Sequence, residues 1–305
     1  MAYDEGTRQL ILESNPGAGC GSLATTWSWN GTTWVKLIPP TGSPTPVGLG
    51  ISMAYDKRTR QLVLFMGAGR ETKGGVLTCV SRSTTWTWSG TAWTKLTPKA
   101  SPPGRMDGHM AYDAATGQLV LFGGTVVSTG PSRHGLTTTW SWNGTAWTKL
   151  SSKSSPPRNT ASTRSSMAYD TATRQLVLFW GHWSDYIFYN TTWTWNGTTW
   201  TKRTPKTSPT TRSGTSMAYD PAIRQLILFG GSRTRGTPHF LSTTWAWTGT
   251  TWTKVSSLRN ATVARASAQM AYDTATRQLI RFGGGNGAGN PLRTTWVLVA
   301  TKGAG

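Results

Sequence analysis

The sequence predicts an all-β fold, a propeller of six four-stranded antiparallel blades. The tetrapeptide Met-Ala-Tyr-Asp starts at residues 1, 53, 110, 167, 217 and 270, so it recurs every 50 to 57 residues along a chain of 305. A period near fifty residues is typical of one propeller blade. Short apolar runs and Asn-Gly turns recur at the same place in the repeats, which indicates strands and not helices.

Each repeat contains four candidate strands, and the third repeat shows them well. Its first strand ends in Met-Ala-Tyr-Asp, and its second, Gln118–Phe122, is the continuous apolar run of a strand buried on both faces. The alternation in Thr139–Trp142 places both tryptophans on one face. Asn143-Gly144 is a type I′ hairpin signal that leads into the fourth strand, Trp147–Leu150. Six such units fall within the usual range of propeller blades.

A glycine pair usually follows the second strand, at Gly123-Gly124, Gly230-Gly231 and Gly283-Gly284. Together with the aromatic third strand and the final Trp-x-Lys-Leu strand, it resembles the kelch repeat of bacterial, extracellular-type propellers. The resemblance extends over essentially the whole chain. It implies a single propeller domain over residues 1–305, with repeats at approximately 1–52, 53–109, 110–166, 167–216, 217–269 and 270–305. Three repeats lack the glycine pair and have Leu12-Glu13-Ser14, Met66-Gly67 and Trp180-Gly181 in this region.

The sixth repeat lacks the signature of a fourth strand. Residues 294–298 read as a third strand, and no Asn-Gly turn or Trp-x-Lys-Leu segment follows. We therefore expect a sixth blade without its outer strand, whose unpaired edge is a template for another chain. Either this blade is naturally three-stranded or the chain is trimmed, or a neighbouring copy donates a strand near residues 294–305.

The composition says more about the binding partners of the chain than about any catalytic chemistry. The formal net charge is +20, from 31 Lys and Arg against 11 Asp and Glu, which predicts attraction to acidic glycans or other acidic polymers. Nucleic acid is the less favoured polyanion, because the 18 tryptophans follow the repeat and belong to its core. No apolar run is long enough to predict a membrane span. The start of the chain does not resemble a signal peptide, as in a mature secreted protein.

The acidic residues favour a non-enzymatic protein without deciding the question. Six of the eleven end the repeated tetrapeptide, where a carboxylate can accept turn N–H groups: Asp4, Asp56, Asp113, Asp170, Asp220 and Asp273. Few pairs then remain for the two facing carboxylates of glycoside hydrolysis. No phosphate-binding loop, nucleophile elbow or His-Glu-x-x-His motif occurs. The sequence thus predicts no catalytic residue and no cofactor.

The histidines do not predict a metal site. His109 directly precedes Met110 and reads as a variant of the scaffold. His134, His182 and His239 fall in loops after second strands, without the spacing of a ligand set.

The two cysteines occupy equivalent positions in the first two repeats. Cys20 and Cys79 lie seven residues before Trp27 and Trp86. They either form a disulfide, which would indicate an oxidising compartment, or are unpaired thiols beyond bonding distance.

One variable segment is the leading candidate for ligand binding. Residues 180–190 of the fourth repeat contain five aromatic residues, a histidine and an aspartate. Such a cluster suits sugar stacking or a protein hot spot, although it could equally be an aromatic plug over the blade. The candidate residues are Trp180, His182, Trp183, Asp185, Tyr186 and Tyr189.

A second candidate is a set of arginines between blades. Arg105, Arg212 and Arg265 each lie five residues before the next Met-Ala-Tyr-Asp. Equivalent positions could gather guanidinium groups into an anion site, or the arginines could belong to the framework. The lysine of each fourth strand is expected to face outward and to protect the sheet edge: Lys36, Lys95, Lys149, Lys202 and Lys254.

Three functions remain open. The first is a non-enzymatic extracellular or cell-surface propeller that binds a glycan or acidic polymer through its loops. The second is a subunit of an oligomer or fibre completed at the sixth blade. The third is a carbohydrate-active enzyme whose catalytic residues are borne on the loops.

Overall fold

The six repeats form six antiparallel sheets, the blades of the predicted all-β propeller fold. A computed structural model describes residues 1–14, 24–41, 45, 49–73, 76–126, 134–158, 165–183, 188–235, 237–255, 263–286 and 292–298. In this part of the chain every regular element is a strand.

The first three blades each contain four strands in chain order across the sheet. Blade 1 consists of β1 (Ala2–Asp4), β2 (Gln9–Ser14), β3 (Thr25–Trp29) and β4 (Trp34–Lys36). Blade 2 consists of β5 (Leu49–Asp56), β6 (Gln61–Lys73), β7 (Val76–Trp88) and β8 (Trp93–Leu96). Blade 3 consists of β9 (His109–Asp113), β10 (Gln118–Phe122), β11 (Thr139–Trp142) and β12 (Trp147–Leu150).

The last three blades differ in strand number. Blade 4 consists of β13 (Ser166–Asp170), β14 (Gln175–Trp183), β15 (Phe188–Trp195) and β16 (Trp200–Arg203). Blade 5 consists of β17 (Ser213–Asp220), β18 (Gln225–Arg235), β19 (Thr237–Phe240), β20 (Thr244–Trp247) and β21 (Trp252–Val255). Blade 6 consists of β22 (Gln269–Asp273), β23 (Gln278–Phe282) and β24 (Thr295–Leu298). Within the described residues its third strand is outermost, as the sequence predicts.

The chain forms two compact units. One contains Met1–Tyr112, Gly117–Ser151 and Pro157–Ser162, and the other contains Asp113–Thr116, Ser152–Pro156 and Thr163–Gly305. Blades 1 to 3 lie almost entirely in the first unit and blades 4 to 6 in the second.

The second strands of blades 2, 4 and 5 are longer than the sequence predicts. β6, β14 and β18 continue past their glycines instead of turning there. At Gly67 and Gly181 the chain passes so close to the carbonyl oxygens of Arg105 and Arg212 that a Cβ atom would lie 1.6 and 1.7 Å from them. Glycine is therefore needed at these two sites for close backbone approach and not for a turn.

Neighbouring blades meet through one repeated contact. The Trp147 indole of blade 3 packs edge-on against Phe65 of blade 2, with 5.8 Å between ring centroids, and its Nε1 donates to Thr85 Oγ1 at 2.9 Å. Leu119 and Leu121 complete the same buried cluster. Blade 5 meets blade 4 in the same way, since Trp252 Nε1 donates to Thr192 Oγ1 at 2.8 Å. The contact joins apolar packing to a satisfied hydrogen bond.

Glu13 is an exception within this contact. It occupies the position of Phe65 and Phe122 in the repeat, and it accepts hydrogen bonds from Thr26 Oγ1 and from Trp93 Nε1, the latter at 2.8 Å. Burial raises the pKa of the Glu13 carboxyl from its ordinary 4.5 to about 7, although these hydrogen bonds oppose the rise.

Replacing Glu13→Gln should remove a loss of stability that accompanies the rise from mildly acidic to neutral pH. A raised folded-state pKa means that the carboxyl contributes its full stability below its unfolded pKa and loses it as the pH rises through the folded value near 7. The wild type should therefore lose about 2 kcal/mol relative to the glutamine variant between about pH 5 and pH 8. Urea unfolding of both proteins across that range measures the difference.

Glu5→Gln serves as the matched control for this experiment. Glu5 is exposed and pairs with Lys57 at 2.7 Å on the surface, where ion pairs contribute little. An equal pH dependence in the wild type and the Glu13 variant would contradict the assignment.

Candidate functional site

The aromatic segment at 180–190 is a strand extension and only partly a loop. β14 continues to Trp183 and β15 begins at Phe188, with the two residues in register. Trp180 is only 1% exposed and lies in the interior. Tyr189 is half-buried.

The remaining candidates in this segment cannot be placed as side chains. The backbones of His182 and Trp183 belong to β14, whereas Asp185 and Tyr186 lie outside the described residues, as do the side chains of His182 and Trp183. Ligand binding by this segment stays a prediction.

The three arginines between blades occupy one framework position. Arg105, Arg212 and Arg265 are 0%, 2% and 1% exposed. Each guanidinium donates to the carbonyl of the first glycine of the glycine pair and to the threonine directly before β11, β20 or β24. For Arg212 these acceptors are Gly230 O at 3.1 Å and Thr243 Oγ1 at 2.8 Å. The arginines therefore brace the blade that follows them.

Burial lowers the pKa of Arg105 and of Arg212 to about 10, so both remain charged at neutral pH. Their charge is held inside the framework, away from solvent. Of the two alternatives in the sequence, an anion site or a brace, this geometry favours the brace.

Arg281 is a buried cation that the repeat comparison had not singled out. It is 0% exposed and occupies the position held by Leu121 in blade 3 and Leu228 in blade 5. Its guanidinium carbon lies 3.7 Å from the centroid of Phe229, over the ring that receives a tryptophan in other blades. Burial, followed by the nearby charge of Arg265, lowers the pKa of Arg281 to about 9. The sequence signal that could have identified Arg281 is the replacement of leucine by arginine in an otherwise regular strand.

The guanidinium nitrogens of Arg281 have no hydrogen-bond acceptor among the described residues. Stacking on Phe229 contributes about 2 kcal/mol, whereas an unpaired buried charge costs several. Arg281 therefore lowers the stability of blade 6.

The repeated aspartates accept hydrogen bonds within the turns that follow the first strands. All six are buried. Asp220 Oδ1, for example, accepts the Ala222 N–H at 2.9 Å, and Asp4 accepts the Gly6 N–H at the same distance. These turns dock onto the next blade, since a Cβ on Gly144 would lie 2.5 Å from the Thr59 methyl group. Most of the acidic side chains are thereby removed from the surface.

The exposed surface is strongly cationic as a result. The fourth-strand lysines are exposed as the sequence predicts, at Lys36, Lys95, Lys149, Lys202 and Lys254. Within the described ranges, the only ion pair is Lys57 with Glu5.

Two features are absent from the part of the chain that the structure describes. No group of three His, Cys, Asp or Glu side chains comes together there. His134 and His239 are exposed, and burial lowers the pKa of His109 to about 4. None of the described segments forms a helix capable of crossing a membrane. Cys79 is in a disulfide, and its predicted partner Cys20 lies outside the described residues.

Comparison with solved structures supports the fold. The structure titled "Structure of YjhT" superposes with a TM-score of 0.67 over 96% of this chain and 93% of that chain, at 14% sequence identity. The likeness shows a six-bladed β-propeller. No family model matches the chain, and no curated protein matches it, so the kelch resemblance stays a prediction.

Replacing Arg212→Met should destabilise the protein by about 2–4 kcal/mol, because it leaves the acceptors at Gly230 and Thr243 without a donor. Urea unfolding measures the change. Arg233→Met is the control, since Arg233 is an exposed arginine of the same blade, and its effect should stay within about 0.5 kcal/mol. Equal effects of the two substitutions would contradict the brace.

Replacing Arg281→Leu should have the opposite effect and stabilise the protein by about 1–3 kcal/mol. It restores the residue found at this position in the other five repeats and removes a charge without an acceptor. The same unfolding measurement applies. A loss of stability would mean that Arg281 has an acceptor which the geometry does not reveal.

Proposed function

We propose that this chain is a non-enzymatic binding propeller for an acidic polymer, in the first place an acidic glycan. The β-propeller fold is compatible with a binding or structural role, and the charge distribution supports an acidic ligand. An extracellular or cell-surface location belongs to the same proposal.

The observation that carries the proposal is the separation of buried acids from exposed cations. Six of the eleven acidic residues are the buried turn aspartates. The exposed cations far outnumber the exposed acids, of which Glu5 and Glu71 are examples. A surface with this imbalance attracts polyanions over a distance of about 10 Å at 0.1 M salt.

The cysteine chemistry supports the proposed compartment. Cys79 is in a disulfide, and disulfides persist in oxidising environments such as the cell exterior. An extracellular protein would meet acidic glycans and cell-wall polymers there. The aromatic residues of the 180–190 segment belong to the same proposal, because aromatic side chains can add stacking contacts to a sugar chain.

Self-association at blade 6 is a second candidate function. Among the described residues, no strand pairs with the outer edge of β24. An unpaired strand edge can accept a strand from another chain.

Binding to defined polymers tests the main proposal. The chain should bind polygalacturonate and dextran sulfate at low salt, should release both as salt is raised, and should not bind neutral dextran, because the attraction is electrostatic. Biolayer interferometry with immobilised polymers measures the affinities. Equal binding to neutral dextran, or no binding to either acidic polymer at low salt, would contradict the proposal. Tighter binding to a DNA duplex at the same salt would replace the glycan with nucleic acid.

A further inference from the structure

An arginine with unusual backbone geometry recurs in the turn between the first and second strands. In five repeats this residue has a φ of 56 or 57°, in the left-handed region: Arg8, Arg60, Arg174, Arg224 and Arg277. The third repeat has Gly117 at the same position, with a φ of 70°.

The turn itself does not need an arginine. A residue with a Cβ in the left-handed conformation costs about 1 kcal/mol relative to glycine. Gly117 forms the same turn, and a Cβ added there would find no atom closer than the Tyr112 hydroxyl at 3.9 Å. The backbone therefore favours glycine, and the other five repeats retain arginine against that preference.

These arginines are exposed, in contrast to the three braces between blades. All five side chains are exposed, and none of them takes part in an ion pair within the described ranges. Burial raises the pKa of Tyr219, and the Arg224 guanidinium, which hydrogen-bonds to that tyrosine, opposes the rise. A guanidinium has five N–H donors, so one tyrosine hydroxyl leaves most of them available.

In the second unit, three of these turns follow one another on the same side. The first strands of blades 4 and 5 pack together, as do those of blades 5 and 6. Tyr219 is affected by the charge of Asp170 in the preceding turn, and Tyr272 by that of Asp220. Arg174, Arg224 and Arg277 are therefore borne on successive adjoining turns.

We propose that Arg174, Arg224 and Arg277 form an anion-binding surface that takes successive carboxylate or sulfate groups of a linear acidic glycan. This inference rests on the proposed function and gives it a site. The site lies at the strand ends opposite to those that carry the Arg212 and Arg265 braces, because the first turn and the second connection of a blade are at opposite ends of the second strand. Guanidinium groups suit it, since they bind oxyanions through two parallel hydrogen bonds.

The combined replacement of Arg174, Arg224 and Arg277 by glycine tests the surface. Affinity for dextran sulfate and polygalacturonate at about 0.1 M salt should fall at least about tenfold, because three charges and their donors are removed. The midpoint of thermal unfolding should not fall, and should rise by about 1–2 °C for each relieved backbone. Interferometry and a thermal melt measure the two quantities.

Two controls distinguish the effect of this site from the effects of net charge and of backbone strain. Replacing Lys149, Lys202 and Lys254 by glutamine removes the same charge from the outer strands, and should lower affinity less than about threefold. The single variants Arg224→Gly and Arg224→Gln should lose affinity equally, but only the glycine variant should gain stability.

The outcomes distinguish the site from the function. If the wild type binds and the triple arginine variant binds equally well, or no worse than the lysine variant, the site is wrong while the proposed function stands. If the triple variant melts at a lower temperature with unchanged affinity, the arginines are structural and the site is also wrong. If the wild type binds neither acidic polymer, the proposed function itself fails.

Discussion

The rest of the structure depends on the contact that the tryptophan indole of the fourth strand makes with the preceding blade. Trp93, Trp147 and Trp252 each donate their Nε1 hydrogen to a threonine of the preceding blade, at 2.8 to 2.9 Å. The ring packs on apolar residues at the same time, so one side chain supplies both burial and a specific hydrogen bond. A blade is too small to bury its own faces, and this contact makes each sheet depend on its neighbour. In blade 6, where the described residues include no fourth strand, Arg281 lies over Phe229.

Much of the fold could be predicted from the sequence, because each strand has a local signal that recurs. Apolar runs, alternating tryptophans and Asn-Gly turns placed the strands of Thr139–Trp142 and Trp147–Leu150 without any knowledge of their neighbours. The lengths of β6 and β14 could not be predicted in this way. Their continuation past Gly67 and Gly181 depends on a carbonyl from a distant segment that passes over the glycine. In the sequence, such a close approach is visible only as a glycine.

The candidate site was less predictable, because charge in a sequence carries no information on exposure. Arg212 and Arg224 lie twelve residues apart in the same blade. One is buried and satisfied by Gly230 and Thr243, and the other is exposed on a left-handed turn. A spacing of five residues from a tetrapeptide identified Arg212 as special but could not show which way its side chain pointed. The signal for Arg224 was the exchange of arginine for glycine between repeats at one turn position.

The hydrogen bonds made by the charged side chain at each repeated position show whether that residue belongs to the framework of the blade. The buried aspartates accept turn N–H groups through Oδ1, and the bracing arginines donate to backbone carbonyls, so both sets are engaged in the framework of the blade. Arg174, Arg224 and Arg277 stand in the opposite relation, since the turn would be more stable without them. Arg224 hydrogen-bonds to Tyr219, a contact that glycine lacks, but most of its N–H donors remain available to a group outside the fold. The proposed binding of an external anion rests on this contrast between the two sets of arginines.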